Sequence, residues 1–190
     1  IKASDIKGVG LSGQMHGLVM LDENNNIIRK SIIWCDQRTE KECEYLTETI
    51  GREKLIKITG NPAMTGFTLS KLLWVRSNEP ENYKKIKKIL LPKDYIRFKL
   101  TGVFATEVSD ASGMQMLDIN TRNWSEELLN TLEIDKNILA DVYESVVVSG
   151  HVNKEAASLT RLEEGTPVVG GAGDQAAGAI GNGIVREGVI

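Results

Sequence analysis

The chain has 190 residues, 41% of them hydrophobic and 26% charged, with 18 Gly and 4 Pro, which is the profile of a folded unit with a core rather than of a disordered or fibrous chain. Its 23 Lys and Arg against 26 Asp and Glu leave a net charge of -3, so nothing in the overall balance draws it to nucleic acid or to an anionic membrane. Two cysteines, Cys35 and Cys43, and two histidines are too few for a zinc framework, and no apolar run is long enough to span a bilayer; a reducing, cytoplasmic compartment is expected.

In chain order, residues 6–11 alternate weakly and predict a strand, followed by a loop or strand edge at 12–17 that would place Gln14 and His16 on one face. Residues 18–21 predict a second strand, with a turn at 22–26, a return at 27–28 and strand character again at 31–35. A helix is expected over 40–50, stopped by Gly51, and another over 69–77, with Leu69, Leu72 and Leu73 toward the core and Lys71 and Arg76 outward. Residues 82–88 predict a short basic helix, whose run of lysines has no neighbouring aromatic platform and so reads as a solvated face. A strand at 89–91 leads to a helix opened by Pro92 and closed near Gly102. A polar loop is expected at 106–113, a strand at 114–119, a helix at 124–131 and a strand at 146–148. A helix at 153–162 capped by Asn153, a strand at 167–170 and a helix at 174–181 follow, with a further element starting at Ile184. Strands alternating with helices in the second half define the class as α/β.

Three clusters carry chemistry. In Val168-Val169-Gly170-Gly171-Ala172-Gly173-Asp174-Gln175-Ala176-Ala177-Gly178, a strand enters a glycine turn and an acidic residue opens a helix of small residues. Glycines there admit a ligand or a second backbone closely, and Asp174 stands at the end of a strand, where ligands of α/β proteins bind. The same residue type is a common helix cap, and both readings stay open. The glycines match neither a dinucleotide fingerprint nor a P-loop. In Ser12-Gly13-Gln14-Met15-His16-Gly17, an amide and an imidazole that can both donate and accept flank an apolar thioether, a set suited to reading the hydroxyls of a neutral polar ligand. In Trp34-Cys35-Asp36-Gln37-Arg38-Thr39, an indole can cover the apolar face of a sugar ring, while Asp36 and Arg38 pair with each other or bind hydroxyls.

Taken together and in order, Leu11-Ser12-Gly13-Gln14-Met15-His16-Gly17, Trp34 with Asp36-Gln37-Arg38-Thr39, Lys71-Leu72-Leu73-Trp74-Val75, Leu90-Leu91-Pro92-Lys93-Asp94-Tyr95-Ile96-Arg97, Ser109-Asp110-Ala111-Ser112-Gly113 and Gly170 to Gly178 resemble the carbohydrate kinases of the FGGY family over essentially the whole chain. The resemblance implies an α/β fold of the ribonuclease H-like, actin-like ATPase type, with residues 1–190 forming a partial N-terminal, sugar-binding domain whose last residues approach an ATP-binding domain. It further implies ATP-dependent phosphorylation of a sugar at its terminal hydroxyl, and the Gln-Met-His-Gly string points to the members that act on D-xylulose. By likeness Asp174 is the general base; Met15 and His16 line the sugar pocket, with Gln14, Trp34, Asp36 and Gln175 as further substrate contacts. Gln175 departs from the Asn usual in the D-xylulose-acting members and matches the Asp-Gln pair of glycerol kinases.

ATP and Mg²⁺ are the implied co-substrate and metal. Both are expected to be held mainly by an Asp-x-Gly-Thr segment ahead of Ile1 and a second domain beyond Ile190, so that these residues alone are expected to be inactive. The expected partner is a small sugar, with no nucleic acid and no membrane, and a homodimer stays open. The alternatives are a kinase of gluconate, glycerol, ribulose or rhamnulose in the same family, and a non-catalytic sugar-binding domain.

Overall fold

The computed structural model describes residues 2–186 and 188. Strand β1 (Ser12–Gly13) is followed by β2 (Val19–Leu21), all three of whose residues are buried. Helices α1 (Glu40–Ile50) and α2 (Arg52–Thr59) meet at Gly51, whose φ of 90° breaks one helix and starts the next without a Cβ penalty. Helix α3 (Thr68–Asn78), α4 (Pro80–Tyr83), β3 (Lys88–Leu90) and α5 (Pro92–Thr101) follow, with a proline at the start of both α4 and α5, where a missing amide costs nothing. Then come β4 (Ala105–Glu107), α6 (Val108–Ser112), β5 (Leu117–Asp118), β6 (Asn123–Trp124) and α7 (Glu126–Thr131), the last capped by the Ser125 hydroxyl. The chain ends its described part with β7 (Asp141–Tyr143), β8 (Val148–His151), α8 (Lys154–Thr160), β9 (Pro167–Val169), β10 (Ala172–Gly173) and α9 (Asp174–Gly181).

Residues 167–173 are the ribbon that organises the site. Strand β9 pairs antiparallel with β8, while Val168 bridges in parallel to Val9 on its other edge. That parallel pairing resumes between β1 and β10, Ser12 opposite Ala172 and Gly13 opposite Gly173. Parallel strands end on the same edge of a sheet, so the residues that leave β1 and those that leave β10 emerge side by side. Elsewhere β2 pairs antiparallel with β3, β4 in parallel with β7, and β5 antiparallel with β6. The main core joins Leu46 of α1, Leu55 of α2 and Leu69, Leu72, Leu73 and Val75 of α3 to Met114, Met116, Leu128 and Leu129.

Several expectations change. Lys71, expected to face outward, is fully buried; α3 is enclosed on all sides over its first turns, from Thr68 through Leu73, and has no outward face there. Residues 82–88 do not form a helix: α4 stops at Tyr83, and a turn leads into β3. The polar stretch 106–113 is no loop but β4 and α6, with Thr106, Glu107 and Asp110 buried. Residues 14–16 are a bend rather than a strand edge, with His16 left-handed at φ 66°, so the alternation argument for Gln14 does not apply. Trp124 lies in β6 rather than in a helix, and Val146 stands exposed ahead of β8. The element expected from Ile184 lies partly outside the described residues.

Beneath the ribbon is a charged core. Lys93 Nζ lies 2.9 Å from Asp94 Oδ1 and 3.5 Å from both Glu107 Oε1 and Asp110 Oδ2, all fully buried. Arg97 pairs with Asp94, donates to the Gly170 carbonyl, and reaches the Ala105 carbonyl at 2.6 Å. Glu107 caps α6 by accepting from the Ser109 and Asp110 amides, and also accepts from the Ser145 hydroxyl at 2.8 Å. The Gly173 amide donates to Ser109 Oγ at 3.1 Å, so the turn that delivers Asp174 is bonded to this cluster at both ends.

Candidate active site

Gly13 and Gly173 stand opposite each other, and the chain continues from the first into Gln14-Met15-His16 and from the second into Asp174. The glycines are needed because Met15 packs against the turn: a Cβ on Gly173 would lie 2.8 Å from Met15 Cγ and 3.0 Å from its Sδ. A Cβ on Gly113 would lie 2.6 Å from His16 Cε1 and 3.0 Å from Met15 Cε. Met15 and His16 thus sit between the β10 turn and the end of α6.

His16 Nδ1 is 2.8 Å from the Gly113 carbonyl, and a carbonyl can only accept, so Nδ1 carries the proton and the neutral ring presents Nε2 as an acceptor. Burial lowers the His16 pKa below 6.5, opposed by the Gly113 hydrogen bond; the Lys71 ammonium lowers it further and the Asp174 carboxylate raises it. Of the four influences on the imidazole, that of Asp174 is the weakest. One face of the ring meets Phe67, with centroids 4.2 Å apart.

Asp174 is exposed and is the first helical residue of α9, with Gly173 as its cap. Its Oδ1 accepts from the Gln175 amide at 3.0 Å, an N-terminal contact that keeps the carboxylate at the helix's positive end, while Oδ2 makes no hydrogen bond among the described residues. Of the two roles open to Asp174 in the sequence, the helix cap is not the one adopted, because Gly173 holds the cap position and Asp174 is already helical.

The second bank of the site is the 34–38 loop. A Cβ on Gly66 would lie 2.5 Å from the Trp34 carbonyl, so that loop rests on the turn that carries Phe67. The Trp34 indole is 56% exposed and unpaired with any ring. Asp36 is engaged by Arg38 through both oxygens, at 2.8 and 2.7 Å, which holds its carboxyl below the usual range, while Arg38 lies over Trp74 at 4.7 Å. Of the two roles open to Asp36 in the sequence, pairing is the one adopted. Gln14 Oε1 is buried without a hydrogen-bond partner, and Gln175 is exposed beside Asp174.

Between the two banks lies Lys71, a residue that sequence reasoning turned the wrong way. Its Nζ donates to the His16 carbonyl at 2.7 Å and to the Gly66 carbonyl, and burial lowers its pKa to about 8 against the pull of Asp36 and Cys35. Phe67 and Gly113 were also missed; the only sequence signal for the latter was the Ser109 to Gly113 string.

Among the described residues no group of three or more His, Cys, Asp or Glu could hold a metal ion, and the buried carboxylates are committed to Lys93 and Arg97. The described residues therefore build no closed metal cage of their own. A cleft of about 920 Å³ flanks α9 on its Ala176 and Ile180 side, between Leu11, Ser12 and Ser109, and neither Met15, His16 nor Asp174 lines it.

Residues 1–181 match the model of the FGGY family of carbohydrate kinases, N-terminal domain. The chain belongs to the FGGY family of carbohydrate kinases. It is 45% identical over 182 residues to the xylulose kinase of Lactococcus lactis, covering 96% of this chain and 36% of that protein. It is also 45% identical over 188 residues to that of Bacillus subtilis, covering 99% and 38%. The crystal structure of xylulose kinase from Rhodospirillum rubrum superposes with a TM-score of 0.92 at 30% identity, covering 96% of this chain and 37% of that one. The α/β, actin-like sugar-kinase fold expected from the sequence is therefore present. This FGGY chain spans little more than a third of the length of the relatives it matches.

Proposed function

We propose that the protein carrying this chain transfers the terminal phosphoryl group of ATP to the terminal hydroxyl of D-xylulose, giving D-xylulose 5-phosphate and ADP. Residues 1–190 are its sugar-binding N-terminal domain, in part. The observation that carries this reading is the Gly13–Gly173 register, which sets Met15 and His16 beside Asp174 in a chain whose relatives are xylulose kinases.

Each residue then has a task. Met15 is the apolar wall against the sugar carbons, and His16 Nε2 accepts from a sugar hydroxyl. Trp34 and Gln14 supply a hydrophobic cover and an unpaired amide oxygen from the rim, Gln175 lies beside the reacting hydroxyl, and Asp36 acts at a distance through Arg38 and Lys71. Asp174 aligns the attacking hydroxyl first and takes its proton second. A carboxylate at a helix N-terminus is a weak base, but a loose phosphoryl-transfer transition state releases the proton late, so positioning carries most of the effect. ATP and Mg²⁺ are part of the reaction, the metal supplying charge neutralisation at the phosphate oxygens when bound. Both cysteines are free thiols, in keeping with a cytoplasmic setting.

The test is ADP release by the natural protein at its full length, with D-xylulose against gluconate, glycerol, ribulose and rhamnulose. A preference of about 100-fold, or about 2.7 kcal/mol of differential transition-state binding, supports D-xylulose. Gln175 is the feature that favours another sugar or polyol, and a preference for one of those replaces the substrate. Sugar binding with no ATP-dependent product from any member of the panel makes this a binding protein and overturns the kinase.

A further inference from the structure

Three constraints converge on His16. Its ring nitrogen is tied to Gly113, its ring face rests on Phe67, and its carbonyl is held by Lys71. The backbone it adopts is left-handed, at φ 66°, a region uncommon for non-glycine residues that histidine enters more readily than most. Glycine follows at position 17, where a Cβ would lie 2.4 Å from Pro92 Cγ, so close packing on α5 fixes that neighbour and the left-handed turn falls on the histidine.

Lys71 joins the two banks by hydrogen bonds, as Phe67 joins them by ring contact. Its ammonium has three donors and no acceptor, and two of them are spent on backbone carbonyls fifty residues apart in sequence, those of His16 and Gly66. Gly66 precedes Phe67, whose ring abuts the imidazole, and its α-carbon lies under the Trp34 carbonyl. A buried cation with no carboxylate in salt-bridge contact is costly, and α3 could have placed a leucine at this point as it does at 69, 72 and 73. Asp36 and Cys35 are the charged or titratable groups that face the ammonium from the 34–38 loop, and Asp174 faces the imidazole from α9.

We propose that Lys71 is the positioning residue of the sugar pocket: by clamping the His16 and Gly66 carbonyls together it holds the imidazole as the Nδ1-protonated neutral tautomer with Nε2 aimed at the ligand as a hydroxyl acceptor. It sets affinity for the hydroxylated substrate rather than the rate of transfer. The ligand named here rests on the D-xylulose reading; the clamp itself does not.

The test uses the natural full-length protein labelled with ¹⁵N-histidine, the His16 signals being those lost in His16→Gln. In the parent without ligand, His16 gives the Nδ1–H neutral pattern at pH 7 and titrates below 6.5. In Lys71→Met the Nδ1–H share falls and the titration midpoint rises, while the His151 signals stay in place. Calorimetric titration with D-xylulose then shows a dissociation constant raised about tenfold or more, with kcat changed less than about threefold, since the lost contacts bear on ligand aim and not on Asp174. A parent His16 protonated at Nε2 overturns the proposal with no variant at all. So does a folded Lys71→Met with unchanged His16 signals and an affinity within twofold of the parent. Should Lys71→Met fail to fold, Lys71→Leu, which likewise has no N–H donor and matches the buried leucines at 69, 72 and 73, carries the same readings and the same overturning result. If the parent binds no sugar of the panel yet His16 responds to Lys71 as described, the clamp stands and the D-xylulose reading falls.

Discussion

Replacing Asp110 with Asn should make the protein more stable relative to its parent as pH rises, although Asp110 sits beside a lysine. The buried cluster holds two cations, Lys93 and Arg97, and two other carboxylates, Asp94 and Glu107, so it is already neutral when Asp110 keeps its proton. Neither Asp110 oxygen has a hydrogen-bond partner. Burial raises its pKa to about 8, with Lys93 opposing and Asp94 and Glu107 adding to the rise. A carboxyl whose folded pKa lies above its unfolded value of 3.8 binds a proton in the folded state that the unfolded chain has already lost. The associated stability is complete below about pH 4 and drains away as pH climbs to about 8. At 1.36 kcal/mol per unit the loss between pH 5 and 8 is about 4 kcal/mol, an upper figure because the cluster can relax. Asn is neutral at every pH and escapes this loss, while the constant cost of its amide facing Lys93 does not vary with pH. Urea unfolding of parent and variant at pH 5, 6, 7 and 8 isolates the term, since every other titrating group cancels in the difference. A difference that stays flat, or that turns against Asn as pH rises, would show Asp110 ionised and paired with Lys93, and the charge count above would be wrong.

Asp174→Asn should lower kcat by at least about 100-fold while leaving the D-xylulose dissociation constant within a few-fold, read by steady-state kinetics and calorimetry; parallel losses in both would make Asp174 a binding residue. Gly113→Ala places a methyl 2.6 Å from His16 Cε1 and should raise KM for D-xylulose about tenfold with a smaller change in kcat. Because burial lowers the His16 pKa from 6.5, the neutral ring supports the fold above that value, and both stability and sugar affinity should fall as pH drops below 6.5, a trend absent from His16→Gln in urea unfolding and in calorimetric titration.

What could be read from the chain was whatever local chemistry decides. Helix α1 was legible to the residue because Gly51 stops it, α5 because Pro92 opens it and Gly102 ends it left-handed, and α9 because a glycine turn meets a run of small residues. The bend at 14–16 and the burial of 106–113 were not, since polar residues such as Glu107 and Asp110 read as solvated unless their partner is known, and that partner, Lys93, lies in another element. Lys71 failed for the same reason: its periodicity says only that it is polar among leucines, and the two carbonyls that satisfy it come from positions 16 and 66.

The candidate site follows the same division. Residue type singled out the stretches that hold Met15, His16 and Asp174, and the family resemblance gave them their roles, but neither spacing nor type brings positions 15 and 174 together. That is done by a two-residue parallel register, Ser12 with Ala172 and Gly13 with Gly173, which holds only if the ribbon at 170–173 cannot slip. A slip by one residue would move the exits of β1 and β10 about 3.3 Å apart along the strand direction. The bonds from Arg97 to Gly170 and from Gly173 to Ser109 fix its two ends. The buried charges, which cost stability to desolvate, are therefore retained where they set the register on which the sugar site depends.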